Sequence, residues 1–151
     1  MAITREDMSN SKFKQLLAPI ALTADKGDIP ALDITGFESA SFIANVGAAD
    51  ANHVPDDNNH LQVKLEHSDD NVNFAACRDD EVIGSMPGML ATGTFAKIKE
   101  DPNNDSVFAA GYKGNKRYVR PVVKATGNLG NGVILGIAAI MRGSKYRPVD
   151  L

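Results

Sequence analysis

The chain of 151 residues holds one cysteine, Cys77, and no tryptophan. A single thiol forms no internal disulfide, and without a Cys–His cluster there is no zinc-binding pattern. Basic residues do not predominate: 16 Lys and Arg stand against 19 Asp and Glu, a formal net charge of −3. That balance argues against an electrostatic nucleic-acid binder. Long apolar runs are missing too. The best candidate, Val133 to Met141, has nine residues and includes Gly136, about half of the ~18 that a bilayer-crossing helix needs. The N-terminus, Met1-Ala-Ile-Thr-Arg-Glu-Asp7, lacks the basic-then-apolar order of a secretory signal. The expectation is a protein made in the cytoplasm, with neither nucleic acid nor a membrane as partner.

What is present is ordinary globular material, 43% hydrophobic and 23% charged. It suffices for one domain with its own core and no disulfides. Alternation dominates the apolar pattern from Pro19 onward. Leu61, Val63 and Leu65 face one way and Gln62, Lys64 and Glu66 the other, the period-2 signature of a half-buried strand. Ser68-Asp-Asp-Asn71 then turns the chain into a second strand over 72–77, which predicts a β-hairpin. Further strands are expected over 20–23, 31–35, 41–46, 92–98, 107–112, 117–125 and 133–142. Gly114-Asn115 reads as a two-residue hairpin turn, and Pro121 marks a sheet edge or a bulge. About eight short strands with no helical stripe predict an all-β fold, a jelly-roll-like β-sandwich over 19–151, with a closed barrel as the alternative. Residues 1–18 read differently. They form either an extended N-terminal arm or a short helix over Lys12–Leu17, capped by Ser9-Asn10-Ser11 and stopped by Pro19.

Chemistry-bearing patterns are sparse. His53, His60 and His67 recur every seven residues, but Pro55 breaks any helix that would align them. His67 continues the Leu61–Val63–Leu65 series and reads as a strand-end histidine. Asp69, Asn71 and Asn73 mimic a calcium loop, with Phe74 where glycine is required and Asp80 where a bidentate Glu is usual. Gly127, Gly130 and Gly132 have the wrong order for a dinucleotide fingerprint and read as a hairpin turn. Cys77 reads as a small buried hydrophobe. No nucleophile elbow or paired carboxylate stands out, so no catalytic residue, metal or cofactor is assigned and a non-enzymatic role is expected. Charge is uneven along the chain. Nine acidic residues lie between Asp50 and Glu81, and eight basic residues follow Tyr112. Either the two blocks lie on solvated faces and partly neutralise each other within one subunit, or copies of the protein meet acid to base or the basic block faces an acidic partner.

Two stretches carry a resemblance when taken together. One is Val63-Lys-Leu-Glu-His-Ser-Asp-Asp-Asn-Val-Asn-Phe74. The other is Gly111-Tyr-Lys-Gly-Asn-Lys-Arg-Tyr-Val-Arg120, continued by Thr126-Gly127, Gly136-Ile-Ala-Ala-Ile-Met-Arg-Gly143 and Pro148. This order resembles a family of small proteins of tailed bacteriophages, encoded among head genes near the major capsid protein. The resemblance implies a head decoration, or cement, protein with a jelly-roll-like sandwich. Such a protein would bind the outside of an icosahedral capsid in the virion and bridge major capsid protein subunits. It would also self-associate as a homo-dimer or homo-trimer. The expected contact residues are Phe13, Leu16 and Leu17 in the arm, Arg117, Tyr118 and Arg120 on the basic strand, and Arg142, Lys145 and Arg147 in the tail. Locally, the 63–74 hairpin and the 116–123 strand also resemble discoidin-like carbohydrate-binding sandwiches. That alternative makes Tyr118 a sugar-stacking platform, although the tryptophan and flanking cysteines common there are missing.

Overall fold

The computed structural model describes residues 8–88, 91–100 and 106–145. A 3-10 turn, Met8–Asn10, leads into β1 (Ser11–Leu22). Then follow β2 (Leu32–Asp33), β3 (Ser39–Ala49), β4 (His60–Ser68), β5 (Ala75–Ala76), a 3-10 turn at Asp79–Glu81, β6 (Val82–Ile83) and β7 (Thr94–Ile98). The chain closes with β8 (Val107–Tyr112), β9 (Tyr118–Thr126) and β10 (Val133–Arg142). One sheet has the order β1-β10-β3-β8-β6, and the other β2-β9-β4-β5, with β7 also pairing β4. Every ladder is antiparallel.

The order encodes how the chain winds. Strands pair as β1 with β10, β2 with β9, β3 with β8 and β4 with β7, as if the chain were doubled back at the β5–β6 excursion. The β10–β3 and β9–β4 ladders then wrap that doubled ribbon into two sheets. This is the connectivity of a jelly roll, a sandwich of two Greek keys. It confirms the all-β expectation and decides against the closed barrel, because among the described residues no ladder joins the two sheets.

Between the sheets lies one core. Phe42, Leu135 and Ile137 from the first sheet and Leu61, Val63, Leu65, Val119 and Val123 from the second are all 1% exposed or less. Leu61, Val63, Leu65 and His67 pair opposite Ala125, Val123, Pro121 and Val119, so the alternation read in the sequence is the inward face of β4. Pro121 sits where its missing N–H costs least. The neighbouring Val123 exchanges backbone bonds with Lys26, and Val119 pairs with Leu32, but the chain between those two contacts carries no strand opposite Pro121. That edge of β9 is locally open, as proline requires.

Four expectations are corrected. No helix forms over Lys12–Leu17: the segment is β1, hydrogen-bonded to β10, and the sandwich begins before residue 18 rather than after it. The cause is packing. Leu16 and Leu17 are buried, and Pro19 falls within a register shift of the strand instead of ending a helix. Gly114-Asn115 does not close a hairpin, because β8 and β9 lie in different sheets. The glycine-rich 127–132 turn is likewise an arch between sheets, joining β9 to β10. Finally, the strand expected over 72–77 shrinks to Ala75–Ala76. The Asp70 carboxylate accepts the N–H groups of Val72 and Asn73 and draws them into the turn. The 63–74 hairpin itself stands, through Glu66 opposite Ala76 and His67 opposite Ala75.

Candidate functional site

The two sheets differ in what their outer faces carry. On the second sheet the outward row of β4 includes Lys64 and Glu66, beside Arg120 and Lys124 of β9. These charges are spent on each other. The Arg120 guanidinium donates to Glu66 at 2.8 Å and lies 3.8 Å from the centre of the Phe74 ring. Lys64 reaches the same carboxylate at 3.2 Å. Burial raises the Glu66 pKa, but the hydrogen bonds from Arg120 and Lys64 outweigh it and the net shift is downward. At one end Arg117 grips Asp33 through two nitrogens, at 3.1 and 2.9 Å, and Lys116 pairs with Asp69. Lys124 pairs with Asp25 at 3.4 Å. Four of the eight basic residues therefore meet acids of their own subunit, and two of these, Lys116 and Arg120, reach into the acidic 50–81 block.

The first sheet presents the opposite chemistry. Its ladders set outward residues in rows: Phe13, Ile140, Ser41, Gly111 and Ile83; then Gln15, Ala138, Ile43 and Ala109; then Gly136, Asn45 and Val107. Ala21 and Ile134 make a fourth row. None of these residues carries a charge. Lys12 and Lys14 pair opposite the buried Met141 and Ala139, and so leave β1 on the other side. Phe13 is 49% exposed, Ile83 61% and Val107 63%. Glycines flatten the surface, and larger side chains lie over them. A Cβ on Gly136 would stand 3.0 Å from Pro19 Cγ, and one on Gly47 3.1 Å from Ile134 Cβ. Beside Gly136 the face dips into a hollow of about 340 Å³, walled by Leu17, Pro19, Ile43 and Val107 and rimmed by Gln15 and Asn45. Such an apolar, uncharged sheet face is the surface chemistry of protein association.

Of the nine expected contact residues, this face takes in Phe13, and Leu17 only as part of the wall of its hollow. Arg142 ends β10 beyond its first row, paired opposite Ser11. Lys145 lies exposed past the strand, its N–H donating to the Gly36 carbonyl. Leu16 and Leu17 are 7% and 8% exposed and belong to the core, so their apolar bulk serves folding and the expectation of free contacts is corrected. Arg117, Tyr118 and Arg120 lie on the other sheet. The Arg117 guanidinium sits 5.0 Å from the centre of the Tyr118 ring and covers one of its faces. Arg147 lies outside the described residues. Sequence reasoning missed Ile43, Ile83, Val107, Ile134, Ala138 and Ile140. A signal was there: in 133–141 the outward positions are as apolar as the inward ones, whereas a strand with one wetted face alternates.

Polar clusters elsewhere are tied up internally. His67 Nδ1 stands 2.8 Å from the Tyr112 hydroxyl and 3.3 Å from Glu81. The same hydroxyl accepts the Lys116 N–H at 3.1 Å. This network closes the floor of a polar hollow lined by Arg78, Lys113 and Asn115. His60 and His67 fall on opposite faces of β4, as an odd spacing on a strand demands. His53 is in a loop, 3.5 Å from Asp50. Among the described residues no group of three His, Cys, Asp or Glu converges as metal ligands. Asp70 locks its turn, accepting from two backbone N–H groups, Ser68 and Asn73. No family model, curated protein or solved structure matches the chain.

Proposed function

We propose that this chain is a structural adhesion module of a phage head, binding the outside of the icosahedral shell and bridging major capsid protein subunits. The observation that carries the reading is the division of surface chemistry in a stiff sandwich. One sheet face is saturated with internal ion pairs, and the other is apolar and uncharged. A module that works by adhering needs a rigid scaffold and a desolvatable surface, with no convergent reactive groups. Many identical modest contacts around a symmetric shell then add through effective concentration. The capsid as partner rests on the resemblance of the 63–74 and 111–148 segments, and the exposed cations Arg142 and Lys145 at the end of β10 are the charged groups placed to meet it.

The test is to mix purified protein with expanded, undecorated heads of a phage that encodes it. Stoichiometric, saturable binding in a particle map supports the reading. No density on the shell, or density on the tail alone, overturns it. Glycan-array binding that Tyr118→Ala abolishes would favour the carbohydrate-binding alternative instead.

A further inference from the structure

We infer that the uncharged outer face of the β1-β10-β3-β8-β6 sheet is a two-fold interface, stacked face to face on the same sheet of a second copy of this chain. The inference deepens the adhesion reading and rests on it: the desolvatable face joins copies of the module to one another, and the cations at the end of β10 are left to meet the shell.

The choice of occupant follows from what each partner would bring. A face with no charge over four rows offers no counter-ion to a partner's lysine or aspartate, so any charge buried against it stays unpaired, at high cost. The same face of another copy is free of charge over the same area. It also carries matching polar groups. The Gln15 and Asn45 amides at the rim of the hollow have no hydrogen-bond partner among the described residues. Two-fold symmetry presents each copy with an identical pair of amides, since an isologous contact repeats every group reciprocally.

Size agrees with this. Five strands about 4.8 Å apart give a width of roughly 20 Å, and ten residues of β10 at ~3.4 Å each give a length of roughly 30 Å. The projected area is then about 600 Å² per copy, above the ~500 Å² per side at which specific interfaces begin. Flat sheets have an established way to stack, with strands crossing at about 30°. Residues that stand well clear of the surface in one chain, Ile83 and Val107, become the parts of the face that interdigitate.

The experiment measures mass in solution, without heads, by sedimentation equilibrium on the full chain at about 10 µM. Twice the chain mass of 16.1 kDa is expected. Ala138→Lys and Val107→Glu each place a charge on the face at a position already exposed. Each is expected to weaken association at least 100-fold and give monomer, with an unchanged circular dichroism spectrum and a cooperative melt whose temperature no longer rises with protein concentration. Val72→Lys, at a residue 77% exposed in the 68–74 turn, is expected to remain dimeric. Wild-type monomer, a trimer, or a dimer indifferent to both charged variants overturns the inference. Head binding is read separately. A monomer that still decorates heads overturns the dimer and leaves the adhesion reading standing, whereas a dimer that ignores heads does the reverse.

Discussion

Cys77 is sealed at 0% exposure, its N–H bonded to the Leu65 carbonyl at 3.0 Å. Burial, reinforced by the nearby Glu81 carboxylate, pushes its thiol pKa up to about 12. The thiolate is the reactive form, so a disulfide reagent at pH 8 is expected to leave the native protein untouched and to titrate one thiol in denaturant. Rapid native labelling would contradict the packing. Tyr112 is governed in the same way. Burial raises its phenol to about 12, so a titration of absorbance at 295 nm should show one of the three tyrosines lagging to near that pH. Its folded pKa lies above its unfolded value of about 10. The stability it adds is complete below pH 10 and is lost as pH rises from there toward 12. Tyr112→Phe strands the Lys116 N–H and leaves His67 Nδ1 with Glu81, and a loss of about 1–3 kcal/mol is expected in denaturant unfolding.

Gly93 shows why an element's shape depends on one position. It immediately precedes β7, with φ +74 and its carbonyl accepting the Leu65 N–H at 3.1 Å. A Cβ there would stand 2.7 Å from the Cys77 carbonyl oxygen. Gly93→Ala is therefore expected to cost at least about 1–3 kcal/mol and to lower the melting temperature by roughly 3–10 °C. Gly88→Ala, at φ +86 with nothing within 4 Å of the added carbon, should cost less. An equal drop for both would show that the close approach adds nothing. Elements whose apolar pattern is local were legible in sequence: β4 by its alternation, β10 by its run, and the 68–74 turn by its Asp and Asn. Elements defined by distant partners were not. The polar, lysine-bearing β1 is a strand because β10 offers it an unpaired edge. The Gly114-Asn115 turn has a hairpin's chemistry and joins two sheets, because sheet membership is decided by β3 and β4 rather than by the turn. The apolar outer face was missed for the same reason. Phe13, Ile140 and Ile83 are scattered in sequence and share a row only through four ladders.

At the scale of the molecule, the acidic first half and the basic last part of the chain are stitched together across the β4–β9 sheet, which makes stability sensitive to acid in a defined direction. The Arg117 hydrogen bonds hold the Asp33 carboxyl well below the ordinary 3.8. Backbone N–H groups of Asn73 and Val72 do the same to Asp70, and Glu66 is lowered from 4.5. A carboxylate whose folded pKa lies below its unfolded value stabilises the fold when ionised. That contribution is complete above the unfolded pKa and is withdrawn as pH falls through the folded one. The urea midpoint is thus expected to be level from pH 7 to about 5.5 as far as these groups control it, and to fall progressively below about pH 4. Salt divides the contributors. At 1 M the Debye length is about 3 Å, so exposed pairs such as Lys124–Asp25 weaken. The bonds from Asp70 to its own turn are short, local and directed, and they persist. Asp70→Asn should destabilise the protein at pH 7 in low and high salt alike and flatten the acid limb. Asp57→Asn, at an exposed carboxylate held by Lys99 and Lys97, should show its smaller cost mainly in low salt. If the Asp70→Asn loss disappeared at 1 M salt, the turn would be held by long-range charge rather than by its hydrogen bonds, and the hairpin that carries Phe74 onto Arg120 would need another anchor.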